Sequence, residues 1–73
     1  MQKDLAREFA ERAKEYSDWF NAMTELAHRA EEEDLEFAKR IRRALANGFL
    51  ELDQVFFDPL RKEHPEFFSW CRD

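Results

Sequence analysis

The sequence predicts an all-α fold, a long antiparallel helical hairpin with one or two short helices at the C-terminal end. Three observations point there. Apolar residues recur at helical spacing along two long stretches. Ala, Glu, Arg and Leu dominate the composition, while the β-branched residues are reduced to Thr24, Ile41 and Val55. Straight-chain side chains lose little rotamer freedom in a helix, and β-branched ones lose more. Finally, the chain has one Gly and two Pro, and both prolines fall near its end.

The first stripe is Leu5, Phe9, Ala13, Tyr16, Phe20, Met23, Ala27 and Ala30. At 100° per residue it covers one face and predicts a helix over 3–30, about 42 Å long. Trp19 and Leu26 lie on its shoulder as candidates for a dimer contact, and Lys3, Arg7, Glu11, Lys14, Asp18 and Glu25 on the far side. Asp4 and Glu8 suit the positive end of the helix dipole. Ser17-Asp18 offers a cap midway, yet the stripe passes it without a phase jump.

Four carboxylates, Glu31 to Asp34, come next. They are unfavourable at a helix C-terminus and favourable in a first turn, which places the reversal near residues 30–33. A second stripe, Phe37, Ala38, Ile41, Leu45, Phe49, Leu52, Val55 and Phe56, predicts a helix over 34–57. Arg40, Arg42 and Arg43 before Asn47-Gly48 form a C-cap signal, but the stripe continues in phase. Both a kink and a true break at 47–48 stay open, with the kink preferred. Asp58-Pro59 and His64-Pro65 have the N-cap then N1-proline arrangement and predict short helices over 59–64 and 65–72. Pro59 is expected to end the long helix, since the residue before proline avoids the α region. Phe67, Trp70 and Cys71 fall on one face of the last helix. Two helices alone leave both flanks of their shared layer wet. Either the C-terminal segment packs back over one flank, or homodimerisation completes a bundle.

Seventy-three residues make a single domain, 1–73, near the lower size limit for one core. Charged residues reach 40%, but eight Phe, two Trp and one Tyr are more aromatic mass than disordered chains carry. The net charge of -5 disfavours contact with a phosphate backbone. No apolar run nears the ~20 residues that span a bilayer. A lone Cys71 forms no internal disulfide, and the N-terminus is charged and amphipathic, so the expectation is a cytoplasmic protein.

Nothing in the sequence assembles a catalytic, cofactor-binding or metal site, and the chain is expected not to be an enzyme. His28, His64 and Cys71 match no zinc spacing. Cys71 sits near a helix end, where the dipole disfavours a thiolate. Consecutive acids at 31–34 lack the alternation and bend glycine of a calcium loop. The three arginines at 40, 42 and 43 are a weak anionic-ligand footprint amid so many carboxylates and are expected to pair with Glu36 and other neighbours.

The oddity is Leu50 and Phe57, spaced i,i+7 and well off the second stripe, beside Lys39 and Ala46. Either the C-terminal segment covers them, or they are anchors for a partner, since aromatic anchors dominate interface energetics. The expected partner-binding set is Leu50, Phe57, Phe67, Phe68, Trp70 and Trp19.

In size, acidity and lack of enzymatic motifs the chain resembles the small acidic helical proteins that phages make as inhibitors, some anti-CRISPR proteins among them. Its Glu/Ala/Arg-rich helices are also similar to computationally designed binders, although Cys71, Gly48, the excess of Arg over Lys and the Pro-containing end depart from an idealised design. Both resemblances imply a module that binds and inhibits or regulates a larger protein, with no cofactor, nucleic acid, membrane or small-molecule substrate as direct partner. The alternative is an acidic nucleic-acid mimic that blocks a DNA- or RNA-binding complex.

Overall fold

The computed structural model describes residues 1–70. Their architecture is all-α, with no strand among them. Helix α1 spans Lys3–Ala30 and passes Ser17-Asp18 without interruption. It begins after Gln2 with no side-chain cap hydrogen bond. Glu31 to Glu33 then form a turn, and Asp34 caps α2 (Leu35–Leu52) by accepting the Phe37 N–H at 3.1 Å. The acidic run therefore splits. Only its last member serves the second helix, as an N-cap, and the other three make the turn.

Gly48 neither breaks nor caps α2. Among the described residues none has a positive φ, so the left-handed geometry that an Asn-Gly C-cap requires is absent at Gly48. The expected stop at Pro59 is also corrected. After Leu52 the chain widens into one π-helical segment, Asp53–Phe57, where the Asp58 N–H donates to the carbonyl of Asp53. It then continues directly as α3 (Asp58–Glu63), with Pro59 in the first turn. In a continuous α-helix the Pro59 ring would meet the Val55 carbonyl; the wider turn lets the chain pass. Asp58 is accordingly no N-cap. Its backbone is helical, and its carboxylate pairs with Arg61 at 2.9 Å and Lys62 at 3.1 Å.

The π segment also moves side chains. One extra residue per turn rotates everything after it by about 100°. Phe57, placed on the solvent side by an unbroken α-helical wheel, comes round to the core, and Leu60 follows it. Val55 is turned outward and is 74% exposed.

The last element is a 3-10 helix, Pro65–Phe68, much shorter than the helix over 65–72 that the proline signal predicts. Phe68 is buried there against Ala6, Ala10 and Ala13 of α1 and against Phe57 and Leu60. The expectation for Cys71, on the face of Phe67 and Trp70, lies outside the described residues.

The fully buried positions of both long helices are alanines: Ala6, Ala10, Ala13 and Ala27 on α1, and Ala38 on α2. Rings fill the rest of the contact. Phe9 meets Phe56 edge-on at 5.5 Å, Tyr16 stacks on Phe49 at 6.2 Å, and Phe20 lies 4.7 Å from Phe49. Early residues of α1 thus touch the far end of the second helical stretch. At the other end, Arg42 reaches Glu31 at 2.7 Å. The molecule is long and thin, 46 × 21 × 18 Å, with a radius of gyration of 14.6 Å. A compact chain of this length would have a radius of about 11 Å.

Candidate protein-interaction surface

Two edges of the α1 stripe differ in kind. One edge holds Ala6 and Ala10, small and covered by Phe68 and its neighbours. The opposite edge holds Leu5, Phe9, Trp19 and Leu26, all large and all exposed. On the same side of the second helix, Phe37 and Val55 are exposed as well. These six side chains lie along one flank of the two-helix layer, since on each helix they sit to the same side of the contact line.

Two hollows mark that flank. Near the turn, a cavity of about 270 Å³ is lined almost wholly by carbon, from Met23, Leu26, Ala27, Phe37, Ala38 and Ile41. At mid-length, a second of about 350 Å³ lies between Tyr16, Gly48, Leu52 and Val55. A Cβ built on Gly48 would meet nothing within 4 Å. Contiguous exposed apolar surface of this kind is uncommon on a monomer, and scattered single residues are not.

The opposite flank is occupied. The Arg7 guanidinium sits over the Phe67 ring at 5.1 Å, the Phe67 ring stacks on His64 at 5.4 Å, and the Trp70 indole N–H donates to the Phe67 carbonyl at 3.1 Å. Toward the turn, Arg42 and His28 converge on Glu31, at 2.7 and 3.3 Å. Arg42 thus finds its carboxylate in the turn, whereas the sequence suggested Glu36.

The six residues expected to bind a partner do not come together. Phe57 and Phe68 are core, 8% and 4% exposed. Their aromatic mass is spent inside the fold, and the solvent-side placement of Phe57 is corrected by the phase shift of the π segment. Phe67 and Trp70 are half-buried on the closed flank. Leu50 is 56% exposed, on the side away from the hollows. Trp19, 52% exposed and tilted against Tyr16, is on the open flank. Sequence reasoning placed Leu26 with Trp19 on the shoulder of α1 and missed Leu5, Phe9, Phe37 and Val55 as surface. For α1 the signal was present in the wheel: alanines on one edge of the stripe and bulky residues on the other.

Hydrogen bonds from Lys62 and then Arg61 hold the Asp58 carboxyl below its ordinary value. The Glu66 carboxyl is lowered chiefly by its own backbone N–H. The buried Nε2 of His64 makes no hydrogen bond, with Glu63 Oε1 3.5 Å away. Among the described residues, no three His, Cys, Asp or Glu are grouped to hold a metal, and no helix is long and apolar enough to cross a membrane. Compared with protein-family models, curated proteins and solved structures, the chain matches none of them.

Proposed function

We propose that this chain is a non-enzymatic interaction module, acting in the cytoplasm, that binds a larger protein and regulates it, by inhibition in the first instance. One observation carries the reading: six large apolar side chains lie exposed along one flank of a small two-helix layer, around two hollows. In this reading the two long helices form an antiparallel hairpin, the C-terminal segment completes one side of a bundle by packing back, and the other side is left for protein. Water-exposed aromatic and aliphatic surface gains most from burial against a partner, at roughly 25 cal/mol per Å² of apolar area. The nucleic-acid-mimic alternative has less behind it, because Glu31 is already engaged by Arg42 and the acidic turn is no uniform negative field.

Capture from a lysate of the source organism tests the proposal, with Trp19→Asp as the comparison. The expected result is a discrete protein retained by the wild-type chain and lost from the variant, with equal helical circular dichroism in both. Equal retention by the two chains, or nothing above background, overturns it.

A further inference from the structure

We infer that a second copy of this chain occupies the open flank, in a two-fold four-helix bundle whose axis crosses the long axis of the molecule. The inference rests on the reading of that flank as a protein-binding surface: in the free chain a second copy covers it, and the larger protein displaces that copy.

Area comes first. The chain exposes 5805 Å², whereas a compact monomer of 8.9 kDa exposes about 4,800 Å² by the general scaling of surface with mass. The excess, about 1,000 Å², is what one side of a standard interface buries, about 800 Å² per partner. Two layers of equal length covering each other would remove it.

Charge then chooses the orientation. Exposed side chains and hollows occur toward both ends of the flank: Val55 borders one hollow, with Leu5 and Phe9 beyond it, and Leu26 and Phe37 border the other near the turn. An axis across the long direction sets each end of one copy over the opposite end of its partner, in an isologous contact. The acidic side chains Glu32 and Glu33 border the flank at the turn. In the same orientation they face the start of α1 in the other copy, where the first N–H groups have no side-chain cap. An axis along the long direction would instead set Glu32 and Glu33 against their own copies.

Sedimentation equilibrium of the full chain, from roughly 10 µM to 1 mM so as to bracket dissociation constants of that order, reads the result. The wild-type chain is expected at twice 8.9 kDa, Leu26→Glu/Val55→Glu at the single-chain mass with helical circular dichroism retained, and Leu50→Glu still at twice the mass. A wild-type chain at the single mass throughout, or a Leu26→Glu/Val55→Glu variant as dimeric as the wild type, overturns the inference. Should that double variant lose its helical signal, Phe37→Lys repeats the test with the same two outcomes. Glu32→Lys/Glu33→Lys is expected to weaken the dimer at least tenfold, and an unchanged or tighter dimer overturns the crossed orientation. A monomer that still captures a larger protein refutes this inference alone, whereas a dimer that captures nothing refutes the previous proposal alone.

Discussion

Phe57 and Leu50 are seven residues apart, adjacent on an ideal wheel, and opposite in environment. Phe57 contacts Tyr16, Phe49 and Phe56, with ring centroids 5.9, 5.7 and 4.8 Å away. Truncating a buried phenylalanine costs about 3–5 kcal/mol, while a change at an exposed position stays within about 0.5 kcal/mol. Phe57→Ala is therefore expected to unfold most of the chain at room temperature, and Leu50→Ala to leave the urea midpoint nearly unmoved. The reverse ranking would return Phe57 to the surface. Gly48 supplies a second prediction at this scale. It lies within α2, its φ is not positive, and an added methyl group meets no atom within 4 Å. Gly48→Ala should stabilise the chain by about 0.5–1 kcal/mol through backbone entropy alone, measured by urea denaturation. Destabilisation would show that something approaches that position closely.

At the scale of elements, the π segment is the feature with most consequence. Residues 35–63 are one helical path containing a single wide turn. Such a turn holds one residue more than an α-turn does. Deleting the exposed Gln54 should hence restore a regular α-helix while leaving Phe57 and Leu60 pointed at α1. With Pro59→Ala added, so that no ring meets the Val55 carbonyl in the regular helix, the deletion variant is expected to keep its helical circular dichroism and a stability within about 1 kcal/mol of the parent, where a deletion in an ordinary α-helix would rotate the core outward by about 100°. Loss of cooperative melting would show that the wide turn itself is required. The presence of two helical stretches was legible in the stripes, and so was the turn between them at the acidic run. The π turn was not. Periodicity is read by assuming a constant angle per residue, and that assumption fails where one residue is added to a turn.

For the whole molecule, the measure is surface against size. The elongated layer shields its alanines well and its large side chains poorly, with Phe57, Leu60 and Phe68 the only large ones buried among the described residues. A chain so exposed gains from any partner that binds the folded state alone. If that partner is a second copy, its melting temperature depends on concentration. A tenfold increase in protein is expected to raise Tm by about 2–5 °C for a domain of this size, and Leu26→Glu/Val55→Glu to abolish the dependence. A Tm independent of concentration in the wild-type chain would count against self-association.

Local chemistry was enough for some of this protein. Helical spacing, the low β-branched content and the carboxylates of Glu31 to Asp34 act through neighbours three or four residues away, so the all-α class and the place of the turn follow from the chain read in order. Which face of each stripe is covered does not follow. That outcome depends on where the π turn sets Phe57 and Leu60, and on Phe68 returning to Ala6, Ala10 and Ala13 some sixty residues earlier in the chain. Contacts between such distant residues leave no periodic trace, so which edge of the α1 stripe stays open, and the exposure of Phe37 and Val55 beside it, emerged only from the packed structure.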